Sequence, residues 1–323
     1  MVLNNNDTCL GVYMTGDKLR VVESEVIDND IQIINVAEVK LEVPFDFYVI
    51  GNEDFISKFS DAINNVIETR GIKANNAAFA LERRMVLLKK ILVDRNFGDE
   101  ELRQHIEWET EQFIVTARSE FNIAFEKLGF YDNDLEEVIL IAARKAIVLY
   151  LKEIFLRTSL NLKILDVDLF ADIRAIADFQ NYSSSHWSAL VDYGNRGADI
   201  SILRDNKYYS SIEVHPKKDN SNIIQLSEIP DAEMANLVNK ELNNLLSASK
   251  SNVSIDDLSC IYLLGDHITD DFITELEKIQ TVKVQVADPF KNLNVSLDSA
   301  SEMEIRNHPE RFITGVGLAL RKN

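Results

Sequence analysis

Apolar and polar positions follow two periods along this chain, and together they sketch most of its elements. Leu190-Val191 is an apolar run ending in Asp192, Tyr193-Gly194-Asn195-Arg196-Gly197 turns tightly, and Ala198-Asp199-Ile200-Ser201-Ile202-Leu203 leaves with strict alternation. This pattern predicts a buried strand, a hairpin turn and an amphipathic partner strand. The arrangement occurs twice. Near the start, Cys9–Met14 is an apolar strand, Thr15-Gly16-Asp17 a turn and Leu19–Glu23 a returning strand. Asp28-Asn29-Asp30 then turns into Ile31–Ile34 and a helix follows over Glu53–Arg70; in the second copy Asp205-Asn206 turns into Tyr208–Val214 and a helix follows over Asp231–Leu246. Each copy closes on a short apolar strand, Ala77–Leu81 and Cys260–Leu264. Strand–strand–strand–helix–strand, made twice, is a duplicated α/β design whose halves face each other across a cleft between their first hairpins.

The helix over Glu53–Arg70 has Ile56, Phe59, Ile63, Val66 and Ile67 on one face. After Leu81 the duplication is interrupted. Strands are predicted over Met85–Val93, Phe121–Leu128 and Glu137–Ala143, and helices from Asp99, where acid meets the positive end, and over Arg144–Thr158. Residues 82–161 thus form an inserted α+β subdomain with a small core of its own. The first lobe comprises 1–81 and 162–180, with a helix over Asp168–Phe179. Tyr182-Ser183-Ser184-Ser185-His186 is a linker, and 187–323 is the second lobe. Within it, His215–Ser227 reads as a mobile polar loop, Thr269 caps a helix, Asn292–Glu304 is a polar connection, and Phe312–Arg321 is a final helix with glycines that permit close packing.

Charge and composition narrow the function classes. A net charge of −19 repels phosphate backbones and anionic lipid, which argues against nucleic-acid or direct membrane-surface binding. The start, Met1–Asp7, has no secretory pattern, and the unbroken apolar runs fall short of the ~20 residues a spanning helix needs. Cys9 and Cys260 read as buried thiols of a reducing compartment, so a cytoplasmic protein is expected. The five histidines are scattered without metal-ligand spacing, and no Walker or Gly-x-Ser-x-Gly pattern occurs. No metal site is expected.

Four segments resemble the PilM family of type IV pilus assembly proteins, actin-like relatives of FtsA. They are Trp108-Glu109-Thr110-Glu111-Gln112-Phe113-Ile114, Ala142-Ala143-Arg144-Lys145, Asp166-Val167-Asp168-Leu169-Phe170-Ala171 and Gly315-Val316-Gly317-Leu318-Ala319-Leu320-Arg321, with Asp288-Pro289-Phe290 fitting as well. The resemblance implies an actin-like, ribonuclease H-like two-lobed fold with an inserted subdomain. It also implies a cytoplasmic protein held at the inner membrane by the N-terminal tail of a PilN-like partner. Against the family's nucleotide motifs this chain departs. Gly11 stands in the first hairpin, but Tyr13 replaces an aspartate and Thr15 a glycine, with Gly16 next to them; Asp192 and Gly194 match in the second, where Gly197 adjoins Ala198 in place of a hydroxyl residue; the adenosine-side pair is reduced to Gly265-Asp266.

Tyr13 supplies no carboxylate for a hydrated metal, and the Cβ of Thr15 resists the left-handed backbone that glycine adopts freely. These nine positions therefore read as remnants of a nucleotide site, and a pseudo-ATPase scaffold without cofactor is expected, with ATP and magnesium as the disfavoured alternative. Candidate partner-binding residues are Arg83, Arg84, Lys89 and Lys90, the strongest basic cluster in an acidic chain, together with Trp108. The cluster fits an acidic tail or, equally simply, a charged strand edge; Trp108 fits an aromatic anchor or a core position. An active ATPase and an FtsA-like filament former are the rival classes.

Overall fold

A computed structural model describes residues 8–28, 30–114, 117–177, 186–194, 196–215, 229–248 and 253–321. The start at Met1–Asp7, the linker residues Tyr182–Ser185 and the polar segment His215–Ser227 beyond His215 lie outside the described residues.

The first strand, β1 (Thr8–Ile27), is not straight. Its length would be ~66 Å if straight, at ~3.3 Å per residue. Instead its halves meet. A Cβ built on Gly11 would sit 2.5 Å from the carbonyl oxygen of Gly315, and one built on Gly315 would sit 2.6 Å from Val22 Cγ2. The Glu23 carboxylate also accepts the N–H of Lys73 (2.7 Å), close to where Cys9 pairs with Asn76. β1 therefore folds back on itself about Gly16, whose φ of 53° is left-handed.

One half of β1 pairs antiparallel with β2 (Asp30–Phe45), and the other pairs parallel with β3 (Asn76–Leu81). With β7 (Asn161–Val167) and β13 (Asn294–Val295), the order of the first sheet is β13-β2-β1-β3-β7. On one face lies α1 (Glu53–Arg70), started by Asn52, whose side chain accepts the Asp54 N–H, and ended by Gly71 at φ 62°. Phe45, Phe59, Phe79 and Phe155 meet edge-to-face there, with centroids 5.3–6.0 Å apart. On the other face lie α4 (Asp168–Ala177) and α8 (Ile313–Ala319). A Cβ on Gly317 would lie 1.9 Å from the Ala171 carbonyl oxygen, so this approach demands glycine.

The second sheet runs β10 (Lys207–Val214), β9 (Gly197–Arg204), β8 (Trp187–Gly194), β11 (Leu258–Leu264), β12 (Val284–Val286). Its period-two pattern divides it between two cores. Ala189, Val191, Ile200, Ile202, Ile261 and Leu263 pack with α5 (Asp231–Ser247) and α6 (Asp270–Ile279), while Leu190, Leu203, Tyr262 and Leu264 join the core of the first sheet. Thr269 caps α6 by accepting the Phe272 N–H at 2.9 Å.

A third sheet, β4 (Val86–Asp94), β6 (Leu135–Arg144) and β5 (Phe121–Phe130), is antiparallel in the order β4-β6-β5 and carries α2 (Asp99–Phe113). Its own core is small: Ile91, Val93, Leu102, Ile106, Val138 and Leu140.

Three boundaries differ from expectation. The helix α3 (Lys145–Leu156) does not belong to the inserted core, because Ile147, Leu151, Ile154 and Phe155 are buried in the core of the first sheet. Asn292–Glu304 is not merely a connection: β13 pairs with β2, and α7 (Ser299–Ile305) starts at Asp298, which accepts the Ser301 N–H at 2.7 Å. Nor does 187–323 stay with the second sheet, since β13, α7 and α8 all return to the first. A two-residue strand and short helices carry too little periodicity to announce which sheet they will cover.

Candidate functional site

In both main sheets the central strands run parallel: the first half of β1 beside β3 and β7, and β8 beside β11. Their carboxyl ends open on a cleft between the sheets, the place where open α/β sheets present ligand-contacting side chains. Tyr13, Thr15 and Gly16 line this cleft from β1, Asp192, Gly194 and Gly197 from the β8–β9 hairpin, and Gly265 and Asp266 from the end of β11. Gly11 does not reach it. Its missing Cβ makes room for the Gly315 carbonyl of α8, so this glycine serves helix packing. Gly197 (φ 139°) and Gly265 (φ 106°) hold backbone that other residues rarely adopt.

The centre of the cleft is Arg83, two residues past the end of β3. Its Nε lies 3.4 Å from Asp168 and 3.8 Å from Asp199, and its Nη2 lies 3.4 Å from Asp172 and 3.8 Å from Asp192. Nη1 donates to Ser201 Oγ at 3.2 Å, and the backbone N–H donates to Asp168 at 3.0 Å. Arg83, Asp168 and Asp172 are buried, whereas the Asp192 side chain keeps 21% of its surface exposed. Burial opposes the charge on Arg83, but the four aspartates outweigh it and raise its pKa. Burial pushes Asp192 up to about 7 against the pull of Arg83, with Asp199 and Asp168 adding to the rise. Asp172 and Asp199 are raised as well, by burial first. Tyr13 closes one wall, its hydroxyl 3.5 Å from Asp168, and burial followed by the neighbouring aspartates holds its phenol protonated.

Asp266 is not a free charge in the cleft. It is paired with Arg20 of β1, which also holds Glu38 at 2.7 Å, and Arg311 stands 3.9 Å away. The enclosed volume is ≈ 90 Å³, against the ~300–1,000 Å³ of ligand pockets. The Arg83 guanidinium stands next to the acids, and among the described residues no group of three or more His, Cys, Asp and Glu is set to hold a metal ion.

Arg83, Arg84, Lys89 and Lys90 are not brought together as one basic surface. Arg83 lies in the cleft and Arg84 beside it, paired with Glu82. Lys89 pairs with Glu109 at 2.9 Å, while Lys90 pairs with Glu137 at 3.0 Å and sits 4.0 Å over the Tyr209 ring. Adjacent residues on a strand point to opposite faces, which divides the pair. Trp108 is 55% exposed beside His105, so it is not a core residue. The site residues the sequence did not single out, Asp168, Asp172, Asp199 and Ser201, were signalled by position: each lies on an element that starts or ends at the cleft edge of a sheet.

A second concavity, ≈ 430 Å³, lies between the third sheet and the first. Asn122–Glu126 of β5 form one wall and Lys145, Val148, Leu149 and Lys152 of α3 the other, with Leu165, Val167 and Phe170 between. The α3 residues follow the helical spacing i, i+3, i+4, i+7 and so share one face. β5 is an edge strand of its sheet.

Two facing α/β lobes with a charged cleft between paired hairpins and an inserted subdomain define an actin-like protein. A family model for the type IV pilus assembly protein PilM matches residues 11–213, and the chain belongs to that family. Among solved structures, the chain is similar to one described as a PilM–PilN type IV pilus biogenesis complex, at 18% identity and a TM-score of 0.76 over 97% of this chain and 98% of that one. It is more distantly similar to a Bacteroides thetaiotaomicron protein with an actin-like ATPase fold (9% identity, TM-score 0.49, 88% and 92% covered). The cytoplasmic domain of EpsL from the type II secretion system of Vibrio cholerae is similar at 8% identity (TM-score 0.48, 98% and 97% covered). No curated protein matches. No described helix is long and apolar enough to cross a membrane.

Proposed function

We propose that this PilM-family chain is a non-catalytic scaffold that works through its groove and not through its cleft. The groove takes the N-terminal cytoplasmic tail of a PilN-like inner-membrane protein as an extended segment, so the chain is a cytoplasmic protein held at the inner membrane by its partner. The observation that carries this reading is the make-up of the groove, ≈ 430 Å³ with Leu165, Val167 and Phe170 as an apolar floor between an edge strand and a helix face. The free edge of β5 offers unpaired backbone groups to an extended peptide, and alternate side chains of that peptide would rest on Leu165, Val167 and Phe170. Lys145 and Lys152 at the rim suit an acidic residue in the tail. The partner is suggested by the solved PilM–PilN complex that this chain resembles.

The cleft does no chemistry and carries no cofactor in this proposal. Losing one preorganised charge-stabilising group costs ~10²–10³ in rate, and several positions are altered here together. Fluorescence anisotropy with the tail peptide of the PilN-like protein encoded nearby tests the reading: micromolar binding supports it, and no binding at that concentration overturns it. Calorimetry with ATP and magnesium, on the native chain and on Tyr13→Asp, tests the rival ATPase reading.

A further inference from the structure

Four carboxylates meet at the centre of the cleft from two lobes: Asp168 and Asp172 on α4 of the first, Asp192 on β8 and Asp199 on β9 of the second. Left to themselves they repel across the gap. Arg83 stands among them, 3.4–3.8 Å from each, and reaches past them to Ser201 on β9. We propose that Arg83 is the resident cation of the cleft and clamps the second lobe against the first, so that closure of the molecule needs neither metal nor nucleotide. A guanidinium suits this place because its planar fork carries five donors and reaches partners on several sides, where an ammonium is a compact point charge.

The clamp is rooted in the first lobe, since the Arg83 N–H is held by Asp168 at 3.0 Å and β3 ends at Leu81, two residues before it. A second bond across the lobes, Arg20 with Asp266, lies in the same cleft, and Arg196 with Asp46 at 3.2 Å joins the second hairpin to the end of β2. Neither of these pairs uses the four aspartates; Arg84, at the edge of the cleft, adds its charge near Asp199 and Asp168, and Arg83 is the cation within 4 Å of all four.

The test is an interlobe distance measurement on the full chain, with spin labels at two exposed positions on opposite lobes, Lys58→Cys and Lys240→Cys. The native cleft should give one narrow distance distribution, without added metal or nucleotide. Arg83→Met should shift the distribution outward and broaden it. Arg83→Lys keeps the charge but loses the planar fork that reaches both lobes, and should shift it part of the way in the same direction. A distribution for Arg83→Met that superposes on the native one overturns the proposal. If Arg83→Met does not fold, superposition of the Arg83→Lys distribution on the native one overturns it equally.

Discussion

The cleft and the groove use charge in opposite ways. In the cleft, carboxylates from two lobes converge on Arg83, Asp266 is held by Arg20, and little volume is left. In the groove, an apolar floor lies between an edge strand and a helix face whose two lysines stand at the rim. A buried charge that has found its partner inside the chain has little left to offer a ligand, whereas an apolar floor gains by being covered. The charged cleft between the lobes and the proposed binding groove are thus different places in this protein.

The largest expected effect falls on the helix that borders both. Thr314 of α8 faces the cleft, and Arg321 just beyond α8 faces the groove. Gly317→Ala drives a Cβ into the Ala171 carbonyl, so a loss of about 3 kcal/mol or more is expected in denaturant unfolding. A variant that keeps native stability would break the account of how α8 seats on the first sheet.

Leu149→Asp places a carboxylate in the groove wall. The tail-peptide affinity should fall ~30-fold, about 2 kcal/mol, in anisotropy titrations. An unchanged affinity would move the binding surface elsewhere.

The cleft has its own pH signature. Asp192 has a folded pKa of about 7, above its value near ~3.9 in an unfolded chain. The folded state therefore holds the extra proton between those values, and the contribution of this group to stability is full at low pH and lost as pH rises through about 7. The expected loss between pH ~5 and ~8 is on the order of 1–2 kcal/mol, and Asp192→Asn should flatten that slope in urea unfolding. A slope that is equally steep in the variant assigns the titration to another group.

The smallest effect is the null one. Tyr13→Asp restores a single carboxylate to the cleft but leaves Arg83 in place, so no ATP hydrolysis above background is expected in a phosphate-release assay. Measurable turnover would return the cleft to the enzymes.

The strands and helices with strong periodicity were legible in the chain as written. The paired hairpins at Gly16 and Gly194–Gly197, the helix Glu53–Arg70 and the Thr269 cap all arise from contacts within a few residues, which is why local pattern determines them. The convergence of Tyr13, Asp192 and Asp266 on one cleft followed from the repeat itself. Tertiary structure decided the rest. Arg83 and Arg84 look like part of one basic run with Lys89 and Lys90, but a strand alternates its faces, and the end of β3 carries Arg83 inward to aspartates as far as Asp199 along the chain. The same holds for α3 and the closing segments β13, α7 and α8. Their sequences say that they have apolar faces, and only the assembled sheets say which core those faces complete, because burial depends on residues brought near by folding and not by order in the chain.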